Sequence, residues 1–316
     1  MIRKLCLVVL ASLIGFAATA SEGLMTDEIV IQYPDTYAKI LVADLAKLSA
    51  DETLQGGVIG PLAAANHPLN GILRSLGLLE LDVADVVYAA YGTGSGMTPT
   101  SLVRGVDTVA AMEAAGALEA EAANPESSYA NWDLETIDDT PVIITGGRFG
   151  PFEMQWSYFA DQGSFWIGSE IGLIGPPDRD RLRASAEAIL GGGAGTASVF
   201  PELCTALGVR GGDMAFVRVT DPTADRPLES GEEAMGYAVW FDGESATVSF
   251  IVRFGSVAQA SAAAAKISAG TSAYLAQDLY RGDLLELTPA GNTILFDVST
   301  GLSGVVGLLM LTVPLL

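Results

Sequence analysis

The chain has one histidine, His67, and only two cysteines, Cys6 and Cys204. With Cys6 in an N-terminal leader, Cys204 has no partner and no internal disulfide can form. One histidine cannot build the usual multi-ligand zinc site. Any Ser–His–Asp or Cys–His machinery would have to run through the loop "AANHPLNG". No serine sits in a G-x-S-x-G elbow, and no S-x-x-K occurs. The glycine-rich stretches "GTGSGM" and "GGGAGT" carry no Gly-Lys-Ser/Thr, so they read as turns or helix stops rather than phosphate loops. Basic residues are also scarce, 16 against 38 acidic, for a formal charge of −22. A field of that sign repels nucleic-acid phosphates and anionic headgroups, which excludes nucleic acid as a partner and leaves only apolar routes to a membrane.

Carboxylates are what the chain has in excess. In "NWDLETIDDTP", Asp133 and Glu135 alternate onto one face of a strand, and Asp138-Asp139 form the turn after it. This spacing matches no EF-hand loop and defines no paired-carboxylate pocket. The reading is a solvated acidic edge. The sequence therefore assigns no catalytic residue, no cofactor site and no metal site.

Residues 1–20 read as a signal peptide: Arg3 and Lys4, an apolar run from Leu5 to Phe16, then Ala18-Thr19-Ala20. Such a leader implies export to the periplasm or cell envelope. Residues 21–84 form a helical lead-in, in which "PDTYAKILVADLAKLSA" shows helical spacing at Ile40, Leu41, Leu45 and Leu48. Residues 85–220 form a first α+β unit, whose clearest hairpin, "EMQWSYFADQGSFWIGS", turns at Gln162-Gly163. That hairpin carries Trp156, Tyr158, Phe159, Phe165 and Trp166, split between the two sheet faces and covered on both. Residues 221–230 are a polar linker, and 231–298 form a second unit.

The two units repeat each other. "SLVRGVDTVAAMEAAGA" and "SFIVRFGSVAQASAAAA" each run from a strand ending in Val-Arg through a small turn to an Ala-rich helix. The fold class is thus α+β, antiparallel sheet with helices on one face, in a degenerate duplication of a ββαββ unit. The order of "LDVADVVYAAYG", "SLVRGV" plus helix, "GSFWIGS" plus helix and "MAFVRV" plus a second half resembles uncharacterised exported bacterial proteins with paired ferredoxin-like α+β units. That resemblance implies a fold and no catalysis.

Residues 299–316 close the chain with "STGLSGVVGLLMLTVPLL", which carries no side-chain charge. Gly301, Gly304 and Gly307 weaken it as a helix, and Pro314 disrupts its last turn. Leu302, Val305, Val306, Leu309 and Val313 fall on one helical face suited to a sheet. Leu308, Met310, Leu311, Leu315 and Leu316 are left for an outward contact, and an all-round apolar helix must be buried or in lipid. A bilayer is the preferred occupant, ahead of burial in the fold and an envelope partner protein. The functional expectation is an exported, non-enzymatic envelope protein that binds or scaffolds, attached through this tail. The alternatives are a metal-dependent or hydrolytic enzyme built on the acidic turn with His67, and a carrier of apolar ligands between sheet and helices.

Overall fold

The computed structural model describes residues 32–33, 37–65, 67–82, 86–94, 97–149, 152–172, 177–191, 212–219, 229, 231–276 and 278–313. The leader, Cys204, all of the linker but Glu229, Leu315 and Leu316 lie outside them.

Twelve strands form one antiparallel sheet: β1 (Tyr37–Ala43), β2 (Tyr88–Gly94), β3 (Thr100–Arg104), β4 (Tyr129–Ile137), β5 (Thr140–Phe149), β6 (Phe152–Asp161), β7 (Ser164–Gly172), β8 (Met214–Val219), β9 (Glu232–Asp242), β10 (Ser245–Phe254), β11 (Asp283–Ala290) and β12 (Thr293–Gly301). Their order is β11-β12-β10-β9-β8-β1-β2-β3-β7-β6-β5-β4. The duplication is visible in that order. Outward from the central β1–β8 pair, one half runs β1, β2, β3, β7, β6 and the other β8, β9, β10, β12, β11; the β4–β5 hairpin is an addition to the first. Helix α5 (Thr108–Ala123) follows β3, and its counterpart α7 (Val257–Ser268) follows β10. Asp107 and Ser256 cap the two helices at matching positions, each side chain accepting from first-turn N–H groups.

Each half contains a split βαβ of the kind found in ferredoxin-like units: β10, α7 and β11 with β12 between the two strands, and β3, α5 and, after the β4–β5 hairpin, β6 with β7 between. All hydrogen-bonded strand pairs are antiparallel. Hairpin turns dictate this. Gln162 and Gly163 both have positive φ, as do Asp138 and Asp139, the pattern of a two-residue type I′ turn that matches strand twist.

The lead-in also differs from the sequence reading. Residues 37–43, read as helix, are the central strand β1, and the helix α1 (Leu45–Ala50) starts only after Asp44, whose carboxylate accepts from the Lys47 N–H. A central strand is buried on both faces and reads as a continuous apolar run, which short-range periodicity cannot separate from a helix. After α1 come α2 (Glu52–Leu54), a π turn (Gln55–Ile59), α3 (Gly60–Ala64) and α4 (Pro68–Leu78).

One cross-strand row shows where the core sits. Phe296, Phe250, Tyr237, Phe216, Leu41 and Tyr91 are successive register partners across six strands, each at most 5 % exposed. The lead-in helices, α5, α7, the short α8 (Ala273–Ala276) and α9 (Leu302–Thr312) bury their apolar residues in the same cluster as this row. Helix α6 (Arg179–Leu190) departs from the one-sided arrangement. Its Ala186 and Ile189 join the opposite cluster, with Ile137, Val142, Ile144, Phe159 and Trp166. The second face of β5–β7 is as apolar as the first and needs its own cover. The two hairpin aromatic rows are accordingly both buried, Tyr158 stacking on Phe165 and Phe159 on Trp166.

Both sheet edges are blunted. Edge strand β4 has a bulge between Tyr129 and Asn131, and edge strand β11 has one between Leu284 and Glu286, with Pro289 further along. Bulges and prolines interrupt the ladder that an added strand would need.

Candidate functional site

Five buried charged residues form structural bonds. Glu232 accepts from Arg218 at 2.5 Å and from the Tyr274 hydroxyl at 2.8 Å. Glu229 accepts from Ser272, the Ala273 N–H and Lys266. Burial pushes the Glu229 pKa up, but these three donors outweigh it and hold the carboxyl below its usual range. Glu170 accepts from Thr98 and Arg181, and Asp213 from Lys47 and the Phe241 N–H. These groups tie loops and helices to strand ends. None is left free beside a nucleophile.

His67, also buried, caps α4. Its Nδ1 accepts from the Leu69 N–H, while Nε2 is buried without a partner. Burial lowers its pKa from 6.5 to about 4. The unfolded chain then binds a proton that the folded chain refuses, so this contribution is complete above pH 6.5 and is lost as pH falls towards 4. The full loss amounts to about 3 kcal/mol. Urea titrations between pH 7 and pH 4 should show that slope, and His67→Asn, which caps without titrating, should flatten it; an unchanged slope would remove His67 as the cause.

The acidic edge has a partner that sequence spacing did not reveal. Asp133 and Glu135 do share a face, and both accept from Arg179 Nη2 at 2.6 Å, at the first turn of α6. Arg183, one turn on, lies 3.6 Å from Glu135. Asp138-Asp139 make the β4–β5 turn instead, and no cluster of metal-ligating side chains forms among the described residues.

Beside the Arg179–Asp133 pair opens a groove of about 390 Å³, within the range of small-molecule sites. Its floor is made by register neighbours on three strands: Asn131 on β4 opposite Gly146 on β5, and Gly146 opposite Gln155 on β6. A β-carbon on Gly146 would lie 3.0 Å from Gln155 Cγ and 3.5 Å from Asn131 Nδ2, so the bare glycine lets two carboxamides converge. Gln155 Oε1 is buried there with no hydrogen-bond partner. Sequence reading missed Asn131, Gly146 and Gln155 because the three come together only through strand register.

The tail residues are placed as follows. Leu308 is 2 % exposed, packed in the protein's own core, and Met310 and Leu311 are half-buried against that core. Helix α9 lies on β10 and β12 and against the π turn and α3, and Thr312 shares a 2.7 Å hydrogen bond with the Tyr237 hydroxyl. Its glycines serve packing. A side chain on Gly307 would overlap the Leu279 carbonyl, so the 279–281 segment can cross directly over the helix. No helix among the described residues is long and apolar enough to cross a membrane.

No protein-family model and no curated protein matches the chain. In structure the chain is similar to crystal forms of the Treponema protein TP0453. Form I aligns at a TM-score of 0.49 and 10 % identity, covering 90 % of this chain and 97 % of that one. Form III gives 0.47 and 9 %, covering 90 % and 98 %. Form IV gives 0.46 and 7 %, covering 88 % and 95 %.

Proposed function

We propose that the protein is an exported, non-catalytic binding protein of the cell envelope, and that the groove between α6 and the β4–β6 edge is where it binds. The groove supports this because it gathers polar groups with unused bonding capacity, Gln155 Oε1 foremost, on a rigid sheet. The buried carboxylates that an enzyme would need as bases or ligands are committed to holding the fold. Export rests on the leader. Any outward contact of the tail is assigned to Met310, Leu311, Leu315 and Leu316 rather than to the whole helix, since Leu308 is taken up by the core.

A thermal-shift series with calcium, zinc and EDTA tests the non-catalytic reading against a metal-dependent enzyme. The melting temperature should stay within about 1 °C throughout. A shift of several degrees with either metal, reversed by EDTA, would refute it, because a folded-state ligand at 100 times its Kd adds about 2.7 kcal/mol.

A further inference from the structure

We infer that the groove takes an uncharged, polyhydroxylated ligand of the saccharide class. The inference rests on the groove being the binding site and names its ligand chemistry.

Charge is the first constraint. The two ionised groups lining the groove, Asp133 and Arg179, pair at 2.6 Å, and Glu135, which shares Arg179, is matched by Arg183 at 3.6 Å. The groove thus offers no net charge to an ion, and the chain's formal charge of −22 disfavours anions further. Polarity is the second constraint. Side chains that reach into the groove include two carboxamides, each with both donor and acceptor atoms. One acceptor, Gln155 Oε1, is out of solvent contact and unpaired, which costs about 1–3 kcal/mol and is relieved when the carboxamide turns outward to a donor in the groove. An apolar ligand would leave that cost standing. A hydroxyl group both donates and accepts, so it meets a carboxamide in either orientation.

Spacing is the third. Asn131 and Gln155 lie two strands apart, about 10 Å between their Cα atoms, and lean towards each other over Gly146. Their convergence lets neighbouring hydroxyls on one edge of a ligand meet both carboxamides. An extended peptide is the weaker fit. It would pair with the β4 backbone, and the bulge between Tyr129 and Asn131 breaks the ladder at this point.

The test is titration of the isotope-labelled mature chain, followed by amide and carboxamide NMR shifts. Neutral oligosaccharides (glucose and N-acetylglucosamine oligomers) are compared with glucuronate and an uncharged tetrapeptide. Neutral saccharides should move the Asn131, Gly146 and Gln155 signals saturably. Asn131→Ala, at an exposed position that leaves the fold intact, should weaken their binding about tenfold, the worth of one hydrogen bond of ~1.4 kcal/mol. Leu285→Ser, on the opposite sheet edge, should leave it unchanged. If only glucuronate or the peptide moves those signals, the saccharide assignment fails while the groove stands. If no probe moves them, or Asn131→Ala leaves saccharide affinity unaltered, the groove itself is overturned as the site.

Discussion

Ending the chain at Thr300 should leave no folded protein. Helix α9 contributes Val305, Leu308 and Leu309 to the core at no more than 2 % exposure, with Val313 just beyond it. Removing them with Leu302 forfeits about 10 kcal/mol of apolar burial, taking 1.5–3 kcal/mol per side chain. A domain's whole stability is about 5–15 kcal/mol. The deletion also uncovers Tyr237, whose hydroxyl loses Thr312, and strips one wall from the π turn, where Gly57 abuts Leu302. Circular dichroism of the truncated chain should show loss of cooperative melting.

A point variant separates packing from simple loss of mass. Gly307→Leu keeps the helix and raises its propensity, yet its side chain collides with the Leu279 carbonyl. The urea midpoint should fall by the equivalent of about 3 kcal/mol, the upper range for overpacking. Were the tail a free anchor, truncation would leave a cooperative fold and Gly307→Leu would stabilise it slightly; either result would overturn the placement of α9.

The second large effect concerns Arg218 and Glu232. Their side chains are 6 % and 0 % exposed, so neither charge has water to fall back on. Arg218→Met strands a carboxylate in the core, and Glu232→Gln strands a guanidinium. Each should cost about 3–5 kcal/mol. The double variant Arg218→Met/Glu232→Gln removes both charges and keeps an acceptor for the Tyr274 hydroxyl. It should be more stable than the sum of the singles predicts, by about 2 kcal/mol or more. Strict additivity in urea unfolding would show that the two groups do not act as a pair.

Much of the architecture was legible in the chain. The repeated Val-Arg strand, turn and Ala-rich helix marked two related halves, because capping and turn chemistry act over a few residues and survive divergence. Gln162-Gly163 announced its hairpin for the same reason. The alternation of Asp133 and Glu135 gave their shared face correctly, but their partner lies 46 and 44 residues away, beyond any local pattern. The segment "AKILVA" was ambiguous because a strand at the centre of a sheet shows no polar alternation. The groove was invisible. Asn131, Gly146 and Gln155 carry no motif, and only strand register sets them side by side.

By itself, then, the sequence determined the features governed by neighbours along the chain: the α+β class, the repeat, the caps, the tight turns and the net acidity. Packing across the sheet decided the rest. It put α6 on one face and α9 on the other, and it seated Leu308 in the core instead of lipid. Whether an apolar helix meets protein or bilayer depends on which surfaces remain uncovered once all twelve strands are assembled, and no local pattern of side chains carries that information.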